Sequence, residues 1–121
     1  MVTLQSFGFK YGRPQANIVF DVSYFKNPWR DEKIRHEKDL VIRKKLIMDY
    51  MLSQRGVDVF LNTTTSLLMT YNELFPEENI QVAFCCSAGE YRSPSLVELI
   101  ANEMSKRGIE CAVSHSHNSK I

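Results

Sequence analysis

Ile80-Gln-Val-Ala-Phe-Cys85-Cys86-Ser-Ala-Gly-Glu-Tyr-Arg92-Ser-Pro94-Ser-Leu96 is the stretch on which the fold turns. Ile80 to Cys85 is a short apolar run of strand type. Seven small or polar residues follow, and then the signals of a helix begin. Ser93 is read as its N-cap, Pro94 as the first helical residue and Gly108 as the residue just past its end. Leu96, Ile100 and Met104 recur on one face, and Lys106 and Arg107 sit where the helix dipole favours cations. Strand, loop and amphipathic helix in this order predict one half of a β-α-β unit.

Outward from this core the alternation continues. Ile109 to Val113 reads as a last strand. Val2 to Phe9 reads as a first one, closed by the turn-rich Gly8-Phe-Lys-Tyr-Gly12-Arg-Pro14. Asn17 to Val22 is a second apolar strand, and Asn27-Pro28-Trp29 opens a loop that becomes charged from Arg30 to Asp39. Leu40 to Ser53 is predicted helical, with Ile42, Leu46 and Tyr50 beside Ile47 and Met51. Gly56 is a stop. Asp58 is read as the cap of a further helix in which Leu61, Leu68 and Phe75 recur every seven residues, and Pro76 ends it. Repeats and linkers are absent, so residues 1–121 are expected to form one α/β domain. Its sheet is expected to be four-stranded and mostly parallel, flanked by helices. Ligands of such sheets bind beyond the carboxyl ends of the strands.

Bulk properties exclude several classes. The 121 residues are 44% hydrophobic and 24% charged, which is ordinary for a globular protein and wrong for a disordered one. A net charge of +1 argues against binding nucleic acid through overall charge. Three cysteines do not make a disulfide framework, and no apolar run is long enough to span a bilayer. A cytoplasmic protein with free thiols, and no membrane partner, is the expectation. Cys85, Cys86, His115 and His117 lack zinc-site spacing, so neither a metal nor a cofactor is expected.

The loop from Cys86 to Ser93 carries the chemistry. A loop entering a helix N-terminus offers unpaired amides to an anion. Ser87, Ala88 and Gly89 let that backbone come close, Arg92 adds a planar fork for phosphate oxygens, and Ser93 adds a hydroxyl. A cysteine, five residues, an arginine and a serine also resemble the loop of cysteine-dependent phosphatases. There a thiolate attacks phosphorus and the arginine holds the phosphoryl oxygens. On that reading Cys86 is the nucleophile, with Asp21 or Asp58 as general acid. The blander reading is a tight turn whose arginine pairs with Glu90 or Glu98.

Further matches run the length of the chain. Ser6-Phe-Gly-Phe-Lys-Tyr-Gly12, Val19-Phe-Asp-Val22, Asn27-Pro28 and Cys86 to Ser93 together resemble the C-terminal domain of the RapZ family. That domain carries Ser-Phe-Gly-Phe-Lys-(His/Tyr)-Gly, Phe-Asp-Val-Arg-Phe-x-x-Asn-Pro and Gly-Cys-Thr-Gly-Gly-x-His-Arg-Ser in the same order. The resemblance implies a binding module for a phosphorylated metabolite, glucosamine-6-phosphate, and in some bacteria for a small regulatory RNA. Carried over by position, Lys10, Tyr11, Asp21, Asn27, Ser87, Gly89, Tyr91, Arg92 and Ser93 form the ligand site. Arg92, Ser87 and the loop amides would hold phosphate, Asp21 and Asn27 a sugar's hydroxyls or amine, and Lys10 and Tyr11 one wall. Tyr91 and Trp29 stand where the family has histidines, Ala88 replaces the first loop glycine and Ser23 replaces an arginine. The Walker loop of full-length members is missing, so ATP or GTP binding is not carried over. Between Arg30 and Lys45 seven cations interleave with four acids, a mixed run that reads as a solvated face. RNA is therefore a partner the sequence does not favour, and a homo-oligomer is left open.

Overall fold

In the computed structural model of residues 1–121, β3 (Ile80–Cys86) lies inside a parallel sheet. β1 (Val2–Gly8) flanks it on one side and β2 (Ile18–Asp21) on the other, while β4 (Ala112–His115) adds beyond β1. The order β2-β3-β1-β4 is parallel throughout. The helices are α1 (Glu32–His36), α2 (Leu40–Ser53), α3 (Val57–Leu74) and α4 (Arg92–Lys106). This is the α/β architecture the sequence predicts.

β1 shows why one face of the sheet holds the core. Val2, Leu4, Ser6 and Gly8 are buried while Thr3, Gln5 and Phe7 are half-exposed, the alternation of a strand covered on one side. On the covered face Leu4, Val82 and Phe84 meet Leu96, Ile100 and Met104 of α4 and Leu61 and Leu68 of α3. Phe84 stacks on Phe20 at 5.4 Å and meets Phe60 edge-on at 6.1 Å. Each such side chain contributes roughly 1.5–3 kcal/mol when fully buried.

The connections set where a ligand can lie. The chain from β1 to β2 returns across the uncovered face, where Gln5 Nε2 donates to the Gln15 carbonyl at 3.3 Å. The chain from β3 to β4 runs through α4 on the covered face. The carboxyl ends of β1 and β3 are therefore the point from which connections part to opposite faces, the crevice used by open α/β sheets. There Gly8 sits in register with Cys86.

Several local expectations shift. β1 stops at Gly8, followed by a 3-10 turn over Phe9–Tyr11, and β2 is shorter than Asn17 to Val22. α3 begins after Gly56, whose φ of 90° is left-handed, so Asp58 lies in the first turn and does not cap. Leu61 and Leu68 are buried as expected, but Phe75 has left the helix and is exposed. The charged segment holds α1, capped by the Asp31 side chain and anchored by Ile34 against Ile47 and Tyr91. The last strand is displaced to Ala112–His115. Gly108 does end α4: its amide and that of Ile109 bond back to Ser105 and Met104 in the usual glycine-closed pattern.

Candidate phosphate site

The helix after the loop starts one residue pair earlier than the sequence predicts. Tyr91 precedes the first turn, Arg92 is the first helical residue, and Ser93 is no N-cap. Ser93 is fully buried, its hydroxyl turned to the Cys86 thiol at 3.3 Å. Tyr91 gives the helix no side-chain cap; Pro94 has no N–H and the Ser95 amide bonds the Tyr91 carbonyl, so Arg92 and Ser93 are the first-turn amides left for an anion.

Arg92 is tied to the main chain. Its Nη1 donates to the carbonyls of Ser23 at 2.6 Å and Phe25 at 3.2 Å, and Nη2 donates to Ser87 Oγ at 3.0 Å. Nε is buried and has no partner. Neither Glu90 nor Glu98 pairs with it: Glu90 binds Lys120 at 3.5 Å, and Glu98 binds Lys44 at 2.8 Å and His115 at 3.2 Å. The guanidinium is thus held in place with one buried donor unspent, an arrangement with capacity for an anion.

The loop is pressed against the end of β1. Gly89 has φ +71°, and a Cβ there would lie 2.9 Å from Gly8 N. A Cβ on Gly8 would stand 2.5 Å from the Ala88 carbonyl carbon, so both positions need glycine. Lys10 N donates to the Ser87 carbonyl at 3.0 Å and locks the two loops together.

Beside the loop is a cavity of about 150 Å³ lined by Asn27, Trp29, Cys86, Ser87, Ala88, Glu90, Tyr91 and Arg92. Of the residues expected from sequence, Asn27, Ser87, Tyr91 and Arg92 meet here, with Cys86 at the base. Asn27 Oδ1 already accepts from Trp29 N at 3.0 Å. Gly89 and Ser93 support the loop from behind. Lys10 and Tyr11 lie outside the cavity: Tyr11 stacks on His117 at 3.9 Å, with Lys10 Nζ 5.2 Å from its ring.

Asp21 also stands apart. Its Oδ1 accepts from the amide and the hydroxyl of Ser23, and it sits in register with Cys85, not Cys86. Successive side chains of a strand face opposite ways, so Asp21 and the Cys86 thiol leave the sheet on different sides. Burial, with Asp21 and Cys86 adding negative charge, pushes the Cys85 thiol up from 9.0 to about 11. Burial under Trp29 likewise raises Tyr91, with a smaller push from Glu90 and opposition from Lys120 and Arg43.

Three contributors escaped the sequence reading. Trp29 stacks on Tyr91 at 5.2 Å and carries Arg43 on its ring at 5.7 Å, so the pair forms a fixed wall. Glu90 lines the cavity, where the sequence offers it only as a partner of Arg92, and pairs with Lys120 instead. His115, considered from sequence only as a metal ligand, is held between Ser6 Oγ at 2.8 Å and Glu98. A pairing of residues so far apart in the chain leaves no local signal.

Fold and site together define a small parallel α/β domain with a candidate anion-binding loop at its strand ends. The description RapZ C-terminal domain matches residues 1–119, and the chain belongs to that family. Among similar proteins is one from Bifidobacterium adolescentis, 33% identical over 93% of this chain and 37% of its own length. One from Mycobacterium leprae is 38% identical over 82% of this chain and 34% of its own length. One from Caldicellulosiruptor saccharolyticus is 29% identical over 95% and 40%. Each is named a nucleotide-binding protein. This chain thus spans less than half the length of the relatives it matches.

Proposed function

We propose that the loop Cys86–Arg92 binds the phosphoryl group of a small phosphorylated metabolite without chemical turnover, for sensing or sequestration. The observation that carries this reading is Arg92, fixed by Ser23, Phe25 and Ser87 with its buried Nε unpartnered at a helix start that lacks a side-chain cap. The cavity of about 150 Å³ suits a phosphoryl group with a little of its ester. Whole ligand pockets run to roughly 300–1,000 Å³, so the remainder of the ligand extends outward over the neighbouring loops. A sugar phosphate such as glucosamine-6-phosphate is the first candidate, and the names of the relatives add nucleotides as the second.

Other readings find less. The thiol–Ser93 contact favours a phosphatase, but the proposed acid Asp21 leaves the sheet on the other side. The basic segment is largely engaged: Arg35 with Glu32, Arg43 with the Glu37 carbonyl, Lys44 with Glu98 and Lys45 with Asp49. Thermal unfolding with glucosamine-6-phosphate, glucosamine, AMP and ATP tests the proposal. Ligand at about a hundredfold over its dissociation constant stabilises by roughly 2.7 kcal/mol, a rise on the order of ten degrees. Arg92→Ala abolishes the rise, and Cys86→Ser keeps it. Loss of an aryl phosphate turnover in Cys86→Ser, after turnover by the wild type, would overturn the non-catalytic reading.

A further inference from the structure

A groove of about 920 Å³ lies between the edge strand β2 and the junction of α2 with α3; its lining shares no residue with the loop cavity, though Arg92 Nη1 holds the carbonyl of Phe25 in its wall. Its floor and walls are aromatic: Phe20, Tyr24, Phe25, Tyr50 and Phe60. Tyr24 is 68% exposed and Val59 on its rim 63% exposed, large apolar surfaces left in water. Lys26 and Arg55 stand over this surface, and neither side chain makes an ion pair or hydrogen bond. No aspartate or glutamate lines the groove. α3 enters it at Gly56 without a side-chain cap, and Asp58 in its first turn, outside the lining, offsets the positive end of the helix dipole there.

The wall is built to keep its shape. The Lys26 amide donates to Gln54 Oε1 and Gln54 Nε2 donates to the Lys26 carbonyl, both at 2.7 Å. Phe25 and Phe60 meet edge-on at 5.8 Å. An aromatic trough that is fixed before binding spares a partner the ordering cost of making one.

We propose that this groove docks an acidic, aromatic- or leucine-bearing peptide segment of a partner protein. Apolar anchors would fill the space between Tyr24, Phe25 and Phe60, and flanking carboxylates would meet Lys26 and Arg55. Charge complementarity selects the occupant: two unpaired cations and no acid repel a basic segment and attract an acidic one. Two cations among aromatic rings are too few for a nucleic-acid backbone, whose affinity rests on many phosphate contacts. The edge strand β2, hydrogen-bonded on only one side, leaves main-chain groups beside the trough for an extended segment.

The test is selection of a random peptide library displayed on phage. Wild-type protein is the bait, and a Lys26→Glu, Arg55→Glu double variant is the counter-bait. Both residues are exposed, so the double variant should melt within a degree or two of wild type. Clones that depend on the wild-type groove should carry aspartate or glutamate among leucine and aromatic residues. As labelled peptides they should lose at least tenfold in affinity on the double variant. They should also lose it on Tyr24→Ser, and should bind Lys45→Ala, a change outside the groove, as tightly as wild type. Backbone amide shifts should map to the Gln54–Phe60 turn. Selections that yield no clone dependent on Lys26 and Arg55 would overturn the proposal. So would enriched sequences that are basic or uncharged, or shifts that map elsewhere.

Discussion

Cys85 and Cys86 are chain neighbours that leave β3 on opposite faces, and their thiols meet different chemistry. Cys86 contacts a hydroxyl at the start of α4, whereas Cys85 is buried with the Asp21 carboxylate near it. In the unfolded chain the Cys85 thiol titrates near 9.0 and in the fold near 11, so the unfolded state releases that proton first as pH rises. Stability from the neutral thiol is complete below about pH 9 and is lost as pH climbs towards 11. Denaturant midpoints of wild type and Cys85→Ala should therefore converge over that interval, and parallel curves would refute the shift. Arg92 was legible in the sequence because a loop of small residues before a helix has few uses for a guanidinium. Its fastening was not, since the carbonyls of Ser23 and Phe25 belong to the main chain and carry no residue signature.

Among the elements, the end of β1 and the Cys86–Arg92 loop lie so close that a side chain at Gly8 has no room. Gly8 has an ordinary extended φ of −106°, so its need for glycine comes from the Ala88–Gly89 backbone. Gly56 is the reverse case, with φ +90° and open space around it. Gly56→Ala should cost about 1 kcal/mol from left-handed strain alone. Gly8→Ala should cost more, on the order of 1–3 kcal/mol, because rigid backbone must move. It should also weaken phosphate-ligand binding, which Gly56→Ala leaves intact. Melting temperatures and ligand-induced shifts of the two variants separate the effects. From sequence Gly8 reads only as the start of a turn. α1 was hidden for a related reason: Ile34 is the sole apolar residue from Arg30 to Asp39, and its five-residue helix is held by Ile47 and Tyr91 from elsewhere. α2 and α4 had periodicity of their own and were read with nearly correct limits.

At the scale of the molecule, strand order governs cooperativity. β1 pairs with β3 and β4, and β2 pairs with β3 alone. The alternation of apolar runs showed four strands and a parallel sheet, but spacing along the chain does not say which strand lies between which. A fragment of residues 1–79 has two strands and no partner for either, so it should show no protected strand amides in hydrogen exchange. A fragment of residues 1–107 restores β3 and α4 and should regain most of them. Protection in the shorter fragment would mean that β1 and β2 can pair with each other.

The same strand order has a consequence during synthesis. A nascent chain leaving the ribosome exposes Val2, Leu4, Ile18 and Phe20 long before Ile80 is translated to separate and join their strands. Until β3 follows, the β1 and β2 segments are apolar strands without a sheet to join, and chaperones or speed must keep them from foreign partners.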